Sequence, residues 1–217
     1  MNVARALTGA AMLAGMLLAH TAAQAANAPL SAETAGLCSA AVERAEAEHR
    51  MPPKILAALS LAETGRWYAA GQVSLAWPWT VTSGNYTHYL ADKASAVAEV
   101  KKLQARGRRN IDVGCMQINL RYHPDAFAGL EEAFDPDTNV AYAAQFFMDL
   151  HDRTRSWTLA IDRYHTSDPV RGLAYRRKVQ KLWTIVRLRA AAEHRAAVTA
   201  AFLARRAARE AKRLAQN

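Results

Sequence analysis

Apolar side chains recur every three or four positions through most of the chain, which is the spacing of one face of an α-helix. The clearest case is residues 55–64, which follow two prolines and are mostly apolar. Glu63 is the last position of that apolar stripe, and Gly65 marks the predicted end of the helix. The pattern therefore predicts a helix that carries a carboxyl group in its last turn.

The same periodicity predicts further helices, with cap residues at Ser31, Asp135 and Asp168. These helices cover residues 31–50, 93–106, 135–150 and 157–164, and the last one runs from residue 168 past Trp183 toward the C-terminus. The sequence contains no internal repeat, and no long linker separates the predicted helices. The helices are therefore expected to pack into one domain.

A small β-hairpin is predicted where the helical period is interrupted. Residues 80–82 and 86–88 are rich in Thr, Val and Tyr, and Ser83-Gly84-Asn85 separates the two runs. Residues 108–122 mix polar and apolar side chains without a helical period. We therefore expect a mainly α-helical fold with a small β-hairpin and a basic helical C-terminal extension.

The composition agrees with one globular domain. The chain has 217 residues, of which 51% are hydrophobic, and it contains only 10 Gly and 7 Pro. A chain of this length and composition forms roughly one domain with its own core. Disordered and fibrous classes are thereby excluded.

The N-terminus has the pattern of an export signal. Arg5 precedes an apolar run over residues 6–19, and Ala23-Gln24-Ala25 provides a small-residue cleavage site. A retained membrane anchor is the alternative, but the run is shorter than the ~20 apolar residues that cross a bilayer. We divide the chain into a signal peptide (1–25), a folded domain (26–183) and a basic helical extension (184–217), and we expect a periplasmic or secreted protein.

Export bears on the two cysteines. Cys38 and Cys115 are the only cysteines, and an oxidising compartment favours a disulfide between them. Such a bridge closes a loop of more than seventy residues and would stabilise the fold by roughly 4 kcal/mol through chain entropy. Two buried free thiols are the alternative.

The net charge of +9 is concentrated at the C-terminal end. Residues 184–217 hold eight Lys or Arg against Glu193 and Glu210, a net +6, so the preceding part carries only +3. This distribution argues against nucleic acid as a ligand of the domain. The extension is expected to be a long basic helix or a mobile helical segment. It would either contact an anionic surface, such as a membrane or a cell-wall polymer, or only keep the protein soluble.

The candidate chemistry is that of a carboxyl group in a cleft. The sequence has no glycine-rich phosphate loop, no Cys-x-x-Cys pair and no paired histidine spacing, so we expect neither a metal nor a cofactor. Partial burial of Glu63 would raise its pKa toward the range of a general acid, whereas a surface position would leave it a plain helix-end residue. Asp112 is a possible second carboxylate, although it also suits a turn.

Three motifs in this order resemble those of the lytic transglycosylase domain, a family of the lysozyme-like superfamily. They are LSLAET (59–64), DVGCMQIN (112–119) and IDRYH (161–165), and the resemblance covers roughly residues 40–183. It implies a lysozyme-like fold and cleavage of the β-1,4 bond between N-acetylmuramic acid and N-acetylglucosamine in peptidoglycan. Glu63 would be the single catalytic acid.

The resemblance also implies roles for other residues of these motifs. Met116, Gln117 and Asn119 would line the groove and bind substrate, and Tyr164 would hold its hydroxyl near Glu63 or the reacting sugar. Thr64 stands where the family commonly has Ser and would keep a hydroxyl on the substrate side. The ordinary alternative for Met116 and Tyr164 is a place in the core. For Gln117 and Asn119 it is hydrogen bonding to buried backbone.

The sequence departs from the family pattern on one side of the groove and in one insertion. His165 replaces the customary Asn after Tyr164, and the glycine expected soon after it is absent. The segment 72–110 is longer than in compact members of the family. Four aromatic residues in it either form a wall for sugar rings or pack the insertion onto the domain, namely Trp77, Trp79, Tyr86 and Tyr89.

Two other functions stay open at the level of sequence. One is a hydrolytic muramidase on the same scaffold, which would position a water molecule. The other is a peptidoglycan-binding assembly factor, for example within a secretion or flagellar apparatus of the cell envelope. In each case the expected partner is the glycan strand, and the expected oligomeric state is a monomer.

Overall fold

The structure is a computed structural model and describes residues 31–216. This part of the chain contains seven α-helices and two small antiparallel sheets. The predicted signal peptide and the residues up to 30 lie outside this range. The helices are α1 (Ala32–Glu48), α2 (Ile55–Thr64), α3 (Lys93–Ala105), α4 (Leu130–Ala133), α5 (Pro136–Thr154), α6 (Trp157–His165) and α7 (Pro169–Ala215). The expectation of a mainly α-helical fold is confirmed.

The start of α2 is capped by a side chain from α1. Lys54, the residue before α2, has a left-handed backbone with φ 67° and no capping side chain of its own. The Glu46 carboxylate instead accepts hydrogen bonds from the backbone N–H groups of Lys54, Leu56 and Ala57. An anion at this position satisfies otherwise unpaired N–H groups and complements the helix dipole. The first two helices are therefore fixed to each other by polar contacts as well as by packing.

Helix α2 lies in the centre of the helical core. Ile55, Leu56 and Leu59 are fully buried, and the core around them contains residues from α1, α5, α6 and α7. Helix α7 makes the most extensive packing with α2. Because α2 is covered on nearly every side, its mostly apolar sequence is accounted for by burial.

The strands form two separate sheets. The bounds are β1 (Gly65–Tyr68), β2 (Val73–Ala76), β3 (Thr80–Ser83), β4 (Tyr86–Tyr89), β5 (Asp112–Val113) and β6 (Ile118–Asn119). Strands β1 and β2 pair with each other, and the second sheet has the order β4-β3-β5-β6, with each pair antiparallel. The predicted hairpin is β3–β4, but Ser83 belongs to β3 and pairs with Tyr86. The turn is therefore two residues long, with Gly84 at φ 64°.

The insertion packs as a second, smaller core beneath the four-stranded sheet. Trp77 is 1% exposed, and its indole N–H donates to the Leu90 carbonyl at 2.7 Å. Trp79 meets the Trp77 ring edge to face, with 6.0 Å between the ring centres. Helix α3 contributes its buried side chains, including Val97 and Val100, to the core under β3 and β5. Trp77 and Trp79 also pack with the buried Ala35 of α1, so packing onto the domain accounts for the two tryptophans.

The predicted disulfide joins α1 to the segment between β5 and β6. Cys38 and Cys115 are bonded, with 5.7 Å between their Cα atoms, and both are fully buried. The alternative of two free thiols is thereby excluded for the described chain. The bridge ties the helical core to the loop that carries the second sequence motif.

The C-terminal extension is helical throughout the described residues. Helix α7 continues without a break to Ala215, and the Asp168 side chain caps its start by accepting a hydrogen bond from the N–H of Arg171. None of the helices within residues 31–216 has the length and apolar character needed to cross a membrane.

Loss of the disulfide should destabilise the protein measurably. We expect the double substitution Cys38→Ala and Cys115→Ala to lower the free energy of unfolding by about 4 kcal/mol, because the unfolded chain regains the entropy of a large loop. Urea unfolding followed by circular dichroism measures the change. Urea unfolding of the native protein with a reductant present throughout is the control and should give a similar loss. An unchanged urea midpoint in the double variant would contradict the expected contribution.

Candidate active site

One cleft of about 1030 Å³ lies between the four-stranded sheet and helices α5, α6 and α7. Glu63 at the end of α2 forms part of its lining, together with Asp112 and Gln117 from the β5–β6 segment. Thr82 and Thr87 line the sheet side, and side chains of α6 and α7 line the opposite side. The cleft therefore brings residues of all three sequence motifs together.

Gly65 is required directly after the helix that carries Glu63. Its backbone is extended, with φ −63°, so the need is not for a left-handed conformation. A Cβ atom at this position would lie 2.3 Å from the Leu61 carbonyl oxygen, which is far inside van der Waals contact. The glycine therefore lets α2 end abruptly and turn into β1 while Glu63 stays in the last helical turn.

Two residues of α7 place hydrogen-bond donors at Glu63 and its neighbour. Tyr175 is 7% exposed, and its hydroxyl donates a hydrogen bond to Oε1 of Glu63. The Lys178 ammonium group donates to the carbonyl of Ala62, one residue before Glu63. The His165 ring stacks on the Tyr175 ring, with 4.5 Å between centres and an angle of 8° between planes. His165 therefore helps to hold Tyr175 against the carboxyl group.

Burial raises the pKa of Glu63 to about 7, because the apolar surroundings disfavour its charged form. The hydrogen bond from Tyr175 and the charge of Lys178 lower the pKa of Glu63, and the nearby Asp112 raises it again. The net result leaves Glu63 largely protonated below neutral pH. A carboxyl group with this pKa can donate a proton at neutral pH and take one back afterwards.

Asp112 is the second carboxyl group of the cleft. Its Oδ1 accepts a hydrogen bond of 2.7 Å from Nδ2 of Asn119, which lowers its pKa, but burial has the larger effect and raises it. Asp112 pairs with Thr82 and Asn119 in the sheet, so its backbone position is fixed. The cleft thus contains two carboxyl groups whose charges influence each other.

The loop from β5 to β6 is held in place by Asn139, a fully buried residue of α5. The Asn139 amide group donates to the carbonyl groups of Val113 and Ala133 and accepts from the N–H of Met116. Gly114, at φ 80°, lies so close that a Cβ atom would be 2.4 Å from this amide nitrogen. Asn139 and Gly114 therefore fix the loop from two directions, a role that sequence reasoning missed.

Gln117 lies in the cleft, as the sequence motif predicts. Its backbone is left-handed, with φ 50°, which is uncommon for a residue with a side chain. Its Nε2 donates to the carbonyl groups of Thr80 at 3.2 Å and Gly114 at 3.1 Å, and these bonds hold the conformation. Because the amide nitrogen is engaged with the protein, the amide oxygen is the atom available to a ligand.

Asn119 also lines the cleft, but its side chain is engaged with the protein. Its Nδ2 donates to Asn110 and Asp112, both at 2.7 Å, and its Oδ1 accepts from the N–H groups of Arg121 and Tyr122. The sequence prediction gave Asn119 the role of binding sugar directly. The geometry instead gives it the role of orienting Asp112 and the following turn.

Met116 and Thr64 do not line the cleft, which corrects their expected placement. Both are fully buried. Met116 belongs to the helical core, and the Thr64 hydroxyl donates toward the carbonyl groups of Ser60 at 3.2 Å and Cys115 at 3.1 Å. Thr64 follows Glu63 on the helix and is therefore rotated away from the cleft by roughly 100°.

Tyr164 lies in the cleft, but its hydroxyl donates to the Met116 carbonyl at 2.9 Å. The hydroxyl that contacts Glu63 belongs to Tyr175, which lies among apolar residues of α7 and to which the sequence analysis gave no role. A signal was available, because a tyrosine among apolar residues needs a polar partner for its hydroxyl. The identity of that partner depends on the packing of α7 against α2, which no local pattern contains.

The aromatic wall expected from the insertion is not part of the cleft, and other aromatic side chains line it. Tyr122, His123 and Phe146 line it, and Tyr122 is 68% exposed. The aromatic residues of the insertion, from Trp77 to Tyr89, lie elsewhere. An exposed ring beside a polar cleft offers a flat surface for a sugar ring.

Among the described residues, no group of three or more His, Cys, Asp or Glu side chains could hold a metal ion. Comparison of the chain with protein-family models, with curated proteins and with solved structures found no match.

The raised pKa of Glu63 predicts a pH-dependent stability. Below pH 4.5, the ordinary pKa of the group, the carboxyl is protonated in both folded and unfolded chains. Above it, ionisation favours the unfolded chain, so the native protein loses stability until the pH exceeds about 7. We expect Glu63→Gln, which cannot ionise, to gain about 3 kcal/mol relative to the native protein between these limits.

Urea unfolding at pH 4.5 and pH 8 tests this gain. Glu48→Gln, which removes an exposed carboxyl group at the end of α1, is the control for the loss of one charge. The same pH dependence in both variants would contradict the burial of Glu63.

Proposed function

We propose that the protein is a lytic transglycosylase that cleaves the β-1,4 bond between N-acetylmuramic acid and N-acetylglucosamine in peptidoglycan. The observation that carries the proposal is a carboxyl group with a pKa of about 7 on the wall of a large cleft, held by a tyrosine hydroxyl. The order of the three motifs supports the same family. A lysozyme-like fold is part of this proposal.

In the first step, Glu63 protonates the glycosidic oxygen as the bond to the muramic acid C1 atom breaks. Positive charge develops on the sugar ring in the transition state, and the leaving oxygen needs a proton. Glu63 is suited to this step because burial keeps its proton at neutral pH. The hydrogen bond from Tyr175 then stabilises the carboxylate that the step creates.

In the second step, the Glu63 carboxylate takes the proton from the C6 hydroxyl of the same muramic acid. The C6 oxygen then bonds to C1 and closes a 1,6-anhydro ring, and no water is consumed. Each Glu63 proton that leaves in the first step is regained in the second. A pKa near the working pH suits a group that must act in both directions.

The remaining residues of the cleft would bind the glycan strand. Gln117 offers its amide oxygen to a sugar hydroxyl or N–H group, and Tyr122 offers a ring face. Thr82 and Thr87 provide hydroxyl groups on the sheet side. These groups suit a polar polymer of sugars whose rings have apolar faces.

A hydrolytic muramidase is the second candidate, and Asp112 favours it. Two carboxyl groups in one cleft are the usual equipment of glycoside hydrolases, in which the second activates water or attacks the sugar. Asp112 raises the pKa of Glu63, so the two groups are close enough to interact. Its hydrogen bond from Asn119, however, engages one of its oxygens with the protein.

The proposed place of action is the cell envelope. The Cys38–Cys115 disulfide suits an oxidising compartment, and the predicted signal peptide would deliver the chain there. An assembly factor would act in the same place. Only a test of catalysis, and not the location, distinguishes it from an enzyme.

Product analysis tests the proposed reaction. Mature protein incubated with purified peptidoglycan should release muropeptides that end in 1,6-anhydromuramic acid, as measured by mass spectrometry. Glu63→Gln should release them at least ~100-fold more slowly, because it removes the acid and the base together.

The alternatives give different products. Reducing-end muropeptides from the native protein would favour the muramidase, and Asp112→Asn would then abolish them. No soluble product from either protein, with both still bound to the wall, would favour the assembly factor.

The pH profile tests the role of Tyr175. The native protein should lose kcat/KM above about pH 7 as Glu63 deprotonates in the free enzyme. The Tyr175 hydrogen bond lowers the pKa of Glu63, so Tyr175→Phe should move this alkaline limb to higher pH. It should also slow the reaction about tenfold through the loss of a charge-assisted hydrogen bond.

Tyr164→Phe is the matched control, because it removes a hydroxyl from the same cleft that contacts the Met116 carbonyl. It should cost about 1 kcal/mol of stability and leave the alkaline limb in place. An equal shift of the limb in both variants would show that Tyr175 acts only through general packing.

A further inference from the structure

The last part of α7 extends away from the folded domain. Trp183, whose indole N–H donates to the Pro53 carbonyl, and Val186 belong to the final helical turns that pack on the helical core. Every residue from 187 to 216 is exposed except the half-buried Ala190. The segment from Arg187 to Ala215 is about 43 Å long at 1.5 Å per residue. We call this segment the free helix. Within the described chain, contacts with the folded domain do not explain why the free helix carries the side chains that it does.

The free helix and the turn before it expose large apolar side chains. The most exposed of them are 55% to 67% accessible, and they are Ile185, Leu188, Val198, Phe202, Leu203 and Leu214. A helix that only has to stay soluble gains nothing from such residues. Such a side chain contributes favourable free energy only where an apolar phase or an apolar partner removes it from water.

The same segment is strongly basic. It contains eight Lys or Arg and two Glu, and one of these acids, Glu193, pairs with Arg189 at 2.7 Å. The remaining basic residues have no such pair along the helix among the described ion pairs. The free helix therefore carries a concentrated positive charge next to its apolar side chains.

The large apolar and the basic side chains share one side of the helix. At about 100° per residue, all six large apolar residues fall within roughly 160° of the circumference, and six of the eight basic residues lie in the same half. The opposite half is mostly alanine, including Ala197, Ala201, Ala204 and Ala208. The bulky side is therefore both apolar and cationic.

We propose that the free helix binds the surface of a membrane that contains anionic phospholipid, lying in the plane of the interface. Phe202, Leu203 and their apolar neighbours would enter the boundary between headgroups and acyl chains. The arginines would extend along the surface to the phosphate groups, which a long side chain permits. The alanine side would face the solution.

The apolar side chains favour lipid over an anionic wall polymer. A polymer attracts the basic residues but offers no apolar phase to side chains such as Phe202. A second copy of this chain could cover the apolar residues, but it would bring a second cluster of positive charge against the first. A surface of anionic lipid satisfies both properties at once.

Vesicle sedimentation of the chain from Ala26 to Asn217 tests this proposal. This chain keeps all described residues and lacks the predicted signal peptide, which would itself bind lipid. We expect it to pellet with vesicles of phosphatidylcholine mixed with phosphatidylglycerol and to stay in solution with phosphatidylcholine alone. The assay contains no glycan, so its outcome is independent of the proposed enzymatic function.

Variants separate the two contributions. Phe202→Ser with Leu203→Ser should weaken binding to the mixed vesicles tenfold or more, because about two buried side chains are lost. Arg205→Gln with Arg206→Gln and Arg209→Gln should weaken it about 100-fold, at ~1 kcal/mol for each charge. Ala201→Ser with Ala204→Ser, on the opposite side of the helix, is the matched control and should bind as the native chain does.

Three results would overturn the proposal. The first is equal binding of the native chain and the Phe202/Leu203 variant, which would indicate adsorption by charge alone. The second is retention by an anionic wall polymer without any binding to mixed vesicles. The third is dimerisation in sedimentation equilibrium that depends on Phe202 and occurs without lipid binding. Circular dichroism would verify that each variant keeps its helical content.

Discussion

The partial burial of one carboxyl group at the end of an apolar helix is the constraint on which the structure depends. Glu63 occupies the last turn of α2, where its surroundings and the negative end of the helix dipole both disfavour a charge. Such a group is tolerated only if its surroundings compensate for the lost water, and α7 supplies a hydrogen bond from Tyr175 and the nearby positive charge of Lys178. The packing of α7 on α2 and the chemistry of the cleft therefore have one physical origin.

The opposite wall of the cleft is fixed by different means. The Cys38–Cys115 bond, the buried Asn139 amide and the close approach at Gly114 all act on a loop of a few residues. That loop carries Gln117 in a left-handed conformation. Groups that act together in a site must keep their separation to a fraction of an ångström, and a loop fixed at several points can hold Gln117 at a constant distance from Glu63.

The sequence predicts the long helices, the disulfide and the position of Glu63, because periodicity, cap residues and cysteine number are local or countable properties. It does not predict β1 and β2. It also does not predict β5 and β6, because two residues are too few to show a period. The sequence also assigns the hydroxyl near Glu63 to Tyr164 and gives Tyr175 no role in the site. Both are tyrosines on neighbouring helices, and only the packing of those helices decides which hydroxyl meets Glu63.

The continuity of α7 has a mechanical consequence. From Leu173 to Ala215 the helix contains neither Gly nor Pro, so no residue of that stretch is a natural hinge. Tyr175 near its start contacts the Glu63 carboxyl group, and Phe202 lies about 40 Å further along the same helix. Whatever holds the far end thus sets the distance and the angle between that anchor and the cleft. The helix acts as a spacer of defined length.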